Sequence, residues 1–216
     1  MRFTGRAEGD LGHGGDYVHE VRADVADRRR AVLDRPWSWI RQVHGDRVVA
    51  VAGAGDAAGE VADASVTRDR EAALAVLTAD CAPIALAAPE GVIAVVHAGW
   101  RGLVAGVVDR AVDAVRAAGG STVTAVLGPC IHAECYEFGD EDLAVVAAGL
   151  GDIVRATTPA GRPALDLPAG VGRALERAGA ELVDVVDACT ACDADRFFSH
   201  RARQERERQA VVAWLR

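Results

Sequence analysis

The chain has 216 residues, half of them hydrophobic and 5% aromatic, which is enough apolar material for one sizeable core and excludes a disordered chain. Its formal charge of −8 argues against general nucleic-acid affinity, because phosphate binding relies on a positive field. No uninterrupted apolar run approaches the ~20 residues that span a bilayer as a helix, so no membrane partner is expected.

The first periodic segment, Glu20 to Arg35, predicts a helix that stops before Pro36, since proline disfavours helix at the residue preceding it. Two strand-length apolar runs follow, WSWIRQV (37–43) and RVVAVA (47–52). The His-Gly-Asp turn between them places His44 at a strand end. The runs ALAVLTA (73–79), PIALAAP (83–89) and VIAVVHA (92–98) read as buried strands, so Cys81 and His97 fall in or beside adjoining strands of one sheet.

After Gly99 and Gly102, the run 103–120 repeats apolar residues at helical spacing and stops at Gly119-Gly120, predicting a helix opened by the segment that carries His97. Further on, TVTAVLGP (122–129) and ELVDVV (181–186) predict strands, Asp140 to Gly149 and Pro168 to Ala178 predict helices, and QAVVAWL (209–215) predicts a final strand. The basic clusters Arg28 to Arg30 and RARQERER (201–208) are interrupted by or set beside acids and read as solvated faces. Strands and helices mix without strict alternation and no GxGxxG follows a strand, so the expected class is α+β rather than a dinucleotide fold. No linker or low-complexity stretch divides the chain, and one domain over 1–216 is expected.

Five cysteines make an odd count, and the chain opens without a cationic segment followed by an apolar signal core, so the expected location is cytoplasmic. Cys189 and Cys192 form the one Cys-x-x-Cys, and with no second such pair it receives neither a redox nor a structural zinc role. Cys130 and Cys135 are read as packing residues. The oligomeric state is left open.

Chemistry concentrates in three short segments, Gln-Val-His-Gly (42–45), Thr-Ala-Asp-Cys (78–81) and His-Ala-Gly-Trp-Arg-Gly (97–102). His44, Cys81 and His97 offer two imidazoles and a thiolate, the ligand set of a catalytic zinc that keeps its fourth position free. Spacing alone leaves another reading open, in which the histidines are partly buried structural residues and Cys81 is an inert core thiol.

These segments, with Gly-Pro-Cys-Ile (128–131), the run from Ala62 to Val112, CTACDADRFFSHRAR (189–203) and the terminal RQAVVAWL (208–215), closely resemble the laccase-domain, YfiH-like family, also described as multicopper polyphenol oxidases. The resemblance covers most of the chain from Trp37 to Leu215. It implies a layered fold with a central β-sandwich of mixed sheets flanked by helices, zinc held by His44, Cys81 and His97, and phosphorolysis of purine nucleosides with accompanying adenosine deamination. The chain departs from the family pattern in a shortened amino-terminal segment (3–21). It departs again at Phe198-Ser199-His200-Arg201-Ala202, where the family has Phe-Ser-Tyr-Arg-Arg, and at Glu207, where a glycine is common before the late arginine.

On that reading zinc polarises water or a substrate oxygen. Phosphorolysis further requires an anion held in place and a proton for the leaving base. Arg101, in the first turn of the helix after His97, is a candidate anion holder, with a structural ion-pair role as its alternative. Asp80, beside Cys81, is a candidate for proton transfer, for orienting the metal site, or for capping a turn. The expected partners are thus a purine nucleoside and phosphate. Three other functions stay open: a cysteine hydrolase using Cys81 and His97, a copper-dependent polyphenol oxidase, and a non-catalytic zinc-stabilised binding or editing factor. Copper is the alternative metal.

Overall fold

The computed structural model describes residues 1–12 and 22–216. Two mixed sheets stack on one another. The first has five strands in the order Arg2–Phe3, Gln209–Trp214, Ala73–Thr78, Trp37–Arg41 and Glu60–Val61. The second has six, in the order Glu181–Val185, Thr124–Leu127, Ala82–Ala88, Val92–Ala98, Ala64–Thr67 and Val48–Val51. A separate two-stranded ribbon joins Arg155–Thr157 to Pro163–Leu165. Parallel pairing of Trp37–Arg41 with Ala73–Thr78, beside antiparallel pairing of the latter with Gln209–Trp214, makes the first sheet mixed. This is the α+β sandwich expected from the family resemblance.

Alternation along the strands builds the layers, because successive side chains leave a strand on opposite faces. Leu74 and Val76 from one sheet and Ile93 and Val95 from the other share the apolar cluster between them. The intervening Ala73, Ala75 and Leu77 join Trp37, Trp39 and Leu11, with Val32 and Leu33 of the first helical segment packed against them. On the far side of the second sheet, Ile84, Leu86, Ala94 and Val96 meet Val108 and Val112 of the helix Val107–Ala117 and Val171 and Leu175 of the helix Leu167–Ala178. Strands covered on both faces read as unbroken apolar runs. Each fully buried Val or Leu side chain contributes about 1.5–3 kcal/mol before chain entropy is set against it.

Several element boundaries differ from the sequence expectation, each for a local reason. The first helix spans Ala23–Val32 and ends where Leu33 turns extended, at φ −155°; Glu20 and Val21 of the expected helix lie outside the described residues. The strand expected to reach residue 43 stops at Arg41. There the Gln42 side chain takes over, donating to the Leu77 carbonyl at 2.6 Å and accepting from the Leu77 N–H at 2.8 Å. The expected helix over 103–120 is two helices, Trp100–Ala105 and Val107–Ala117, parted at Gly106 in the left-handed region at φ 92°. The apolar period runs through that break, and the glycine alone marks it. The strand Ala64–Thr67, unforeseen in the sequence, carries only one large apolar residue. Among the described residues no helix is long and apolar enough to cross a membrane.

Candidate metal centre

The centre forms where a turn after the strand Trp37–Arg41 meets one end of the second sheet. Antiparallel register sets Ala82 opposite Ala98 and Pro83 opposite His97, so Cys81, one residue before its strand, arrives beside His97. His44 comes from the turn. Its φ of 60° is unusual for a residue with a β-carbon, and a buried carboxylate stabilises the turn that needs it. Asp63 accepts the backbone N–H groups of His44 and Gly45 at 2.8 Å and that of Val43 at 3.2 Å.

The same carboxylate reaches the opposite strand. His97 Nδ1 donates to Asp63 Oδ1 at 2.8 Å, and the His97 N–H donates to the Asp63 carbonyl at 2.8 Å. Asp63 is fully buried and was not singled out as a site residue from the sequence. The only signal there is a charged residue among small, mostly apolar neighbours, Ala62 to Val66. With Nδ1 engaged by Asp63, the free His97 Nε2 is the nitrogen left to ligate, the arrangement by which carboxylates orient metal-binding imidazoles.

The structure brings His44, Cys81 and His97 together, with their ligand atoms all within 4.8 Å of one another. His44 Nε2 lies 3.6 Å from Cys81 Sγ, and the two imidazole rings meet edge-on with centroids 4.8 Å apart. Exposure grades from His44 at the rim, through Cys81, to His97 at the buried end. Gly99 closes one side: a β-carbon there would sit 2.5 Å from His44 Cδ2 and 3.1 Å from Cys81 Sγ. Only glycine leaves room for both ligands.

Electrostatics favour charged forms here. Burial works against the Cys81 thiolate, yet the adjacent His97 and His44 rings bring its pKa down to about 6. Burial likewise disfavours the His97 imidazolium, but the Cys81 thiolate and the Asp63 carboxylate raise its pKa to about 9. Asp63 stays below the ordinary carboxylate range because the bonds from His97 and from the Gly45 N–H outweigh its burial. In the absence of metal the protein therefore stores a thiolate–imidazolium pair. The donor chemistry of two imidazoles and one readily ionised thiol suits a zinc-like cation with one position open.

Asp80, whose φ is 91°, is buried and turns its carboxylate toward the carboxy-terminal part of the chain. Thr190 Oγ1 donates to its Oδ1 at 2.7 Å and the Arg201 N–H to its Oδ2 at 2.6 Å. Arg101 lies exposed in the helix Trp100–Ala105, its guanidinium over the Trp100 ring at 4.2 Å. Trp100 and Tyr136 each meet Phe138 edge-on. Burial, and then the charge of Cys81, push the Tyr136 phenol up, which keeps it a neutral donor near the thiolate. Two other arginines are engaged by backbone: Arg6 donates to the carbonyls of Ala194 and Phe197, and Arg208 to those of Glu205 and Glu207.

Residues 8–216 match the family described as multi-copper polyphenol oxidoreductase laccase. The chain belongs to that family. Among similar proteins, a Mycobacterium tuberculosis protein named purine nucleoside phosphorylase is 38% identical over 210 residues, covering 93% of this chain and 83% of the relative. A Streptomyces coelicolor protein of the same name is 45% identical over 181 residues, covering 82% of this chain and 74% of the relative. The crystal structure of the Bacillus licheniformis hypothetical protein YfiH superposes with a TM-score of 0.83 at 26% identity, covering 96% of this chain and 85% of that one. The Mycobacterium and Streptomyces relatives are thus named as enzymes.

Proposed function

We propose that the protein is a zinc-dependent purine nucleoside phosphorylase that converts adenosine or inosine and phosphate to the free base and ribose 1-phosphate, with adenosine deamination as a side activity. The observation that carries the reading is the convergence of His44, Cys81 and His97 within 4.8 Å, in a chain whose relatives carry the phosphorylase name. His44, Cys81 and His97 would hold the metal, which when bound supplies a Lewis acid that polarises an oxygen at its open position. Zinc is favoured over copper because the described residues place one thiol and two imidazoles at this centre, without the several histidine-rich groups a multicopper oxidase needs. A cytoplasmic setting belongs to the same proposal, since a thiolate ligand requires reduced cysteine.

The chain's own side chains divide the remaining work. Asp63 fixes His97 and the turn that carries His44. Arg101, exposed and with its guanidinium over the Trp100 ring, holds phosphate for attack at C1′ of the ribose. Asp80 acts as a positioning residue, since both of its oxygens are engaged.

A second reading, a cysteine hydrolase using Cys81 and His97, draws on the His97 ring within 4.8 Å of the thiol and on the thiol it depresses. Incubating purified protein with adenosine and with inosine, in phosphate and in phosphate-free buffer, separates the two. Base and ribose 1-phosphate formed only with phosphate is the expected outcome, with inosine appearing from adenosine in either buffer. Undiminished base release without phosphate, surviving removal of the metal by a chelator, would establish the hydrolase instead.

A further inference from the structure

Away from His44, Cys81 and His97, a second group of donors converges between two loops. Glu134 and Cys135 belong to the 3-10 turn Ala133–Cys135, and Cys189 and Cys192 to the loop that follows the strand Glu181–Val185. All four ligand atoms lie within 4.8 Å of one another. Cys135 Sγ is 3.1 Å from Cys192 Sγ, and the Cys192 thiol is 3.6 Å from Glu134 Oε1. Backbone pairing sets the loops side by side without help from these side chains: Cys130 and Cys189 form a parallel bridge, and the Thr190 N–H donates to the Cys130 carbonyl at 3.0 Å.

We propose that Glu134, Cys135, Cys189 and Cys192 form a second metal site, closed by four protein ligands and structural in role, for a thiophilic divalent cation of the zinc class. A Cys-x-x-Cys presents two thiolates to one ion but needs further ligands from elsewhere in the fold. The sequence shows no second such pair, and the fold supplies Glu134 and Cys135 instead. Sulfurs around a tetrahedral zinc stand ~3.8 Å apart for bonds of about 2.3 Å, a spacing within the range these donors span. The His132 N–H already donates to Cys189 Sγ at 3.4 Å, a contact that supports a thiolate. Left as thiols the group is crowded, with Cys135 Sγ and Cys192 Sγ only 3.1 Å apart. A divalent cation relieves that crowding by displacing the thiol protons to solvent.

The two clusters differ in the way structural and catalytic zinc sites differ. One has three ligands and an open position, the other four and a closed shell. They are also mechanically joined, because Thr190, between the two cysteines of the loop, donates to Asp80 next to Cys81. Arg203 ties the same loop down through the carbonyls of Thr190 and Ala191. An ion at the second site thus pins the loop that positions the backbone of the first. None of this depends on the phosphorylase reading.

Cobalt(II) titration of the reduced, metal-free full chain, followed through thiolate-to-cobalt charge-transfer absorption and elemental analysis, tests it. The expected result is saturation at about two equivalents per chain, one for each cluster. Cys192→Ser, at an exposed position, should lose one equivalent while retaining the other. A His44→Ala, Cys81→Ala double variant should keep an equivalent with a strong thiolate band. Saturation of the intact protein at one equivalent that Cys192→Ser retains would overturn the proposal. So would a double variant with an unchanged circular dichroism spectrum and no thiolate band, or a Cys135–Cys192 disulfide recovered by mass spectrometry after anaerobic, reducing, zinc-supplemented purification.

Discussion

Asp63 joins both histidines of the candidate metal centre through one carboxylate: His97 Nδ1 donates to its Oδ1 at 2.8 Å, and the same oxygen accepts the His44 N–H at 2.8 Å. Removing the negative charge weakens the imidazole as a ligand, and removing the oxygens releases the turn. Asp63→Asn should therefore lower metal affinity about 10–100-fold, the usual cost of losing a carboxylate behind a ligating histidine. Asp63→Ala should also lower the melting temperature, because several backbone donors lose their acceptor. Competition with a chromophoric chelator reads the first effect and thermal denaturation the second; an Asn variant of unchanged affinity would remove Asp63 from the centre.

Cys81 offers a pH-dependent test. Its pKa is lowered to about 6, so in metal-free protein the thiolate persists from alkaline pH down to about 6 and disappears below it. The His97 imidazolium that faces it is lost only above about 9. Alkylation of Cys81 by iodoacetamide, located by peptide mapping, should be half-maximal near pH 6 and suppressed by zinc. An inflection at the ordinary thiol value would contradict the thiolate–imidazolium pair.

Gly99→Ala probes the closeness of the ligands. The added methyl meets His44 Cδ2 at 2.5 Å and Cys81 Sγ at 3.1 Å, so one ligand must move. A displacement near 1 Å costs about 100-fold in rate, and the proposed phosphorylase activity should fall by that order in this variant. Its secondary structure and melting temperature should change little, because the clash lies at the ligands rather than in either sheet. Full activity would show that the ligands tolerate a wider spacing.

Arg101→Lys keeps the charge but loses the planar fork and its stacking on Trp100. The KM for phosphate should rise while metal content stays at the wild-type level. An Arg101→Ala enzyme with unchanged phosphate kinetics would move the anion site elsewhere.

Much of the scaffold was legible because the strands that carry the centre are apolar runs bounded by clear turns: Ala73–Thr78, Ala82–Ala88 and Val92–Ala98 lie where the pattern puts them. The juxtaposition of Cys81 with His97 follows from their pairing. Asp63 was not legible as an orienting group, since its role depends on a turn eighteen or more residues earlier and a strand thirty-four residues later, which no local period encodes. The cysteine cluster escaped for the same reason. Cys135 and Cys192 are separated by 57 positions, and long-range pairing such as that of Cys130 with Cys189 brings them together. Asp80 was visible beside Cys81, but its direction was not; Thr190, 110 positions away, decides it.

That direction yields the most discriminating substitution. If Asp80 positions the loop before Cys81, an amide can replace it: the asparagine oxygen still accepts the Arg201 N–H, and its NH2 group donates to a Thr190 hydroxyl that rotates to accept. Asp80→Asn should then retain most of the proposed phosphorylase activity and the same pH profile. Asp80→Ala, which leaves the Thr190 hydroxyl and the Arg201 N–H without their acceptor, should lose about 1–3 kcal/mol of stability for each group left unsatisfied. Thr190→Val should reproduce part of that loss, and the double variant should cost less than the sum of the two, with a coupling of roughly 0.5–3 kcal/mol because the residues share one bond. A proton carrier behaves differently. An Asp80→Asn protein that folds and binds metal like the wild type yet releases no base would establish Asp80 as that carrier, and its bonds to Thr190 and Arg201 as the means of holding it.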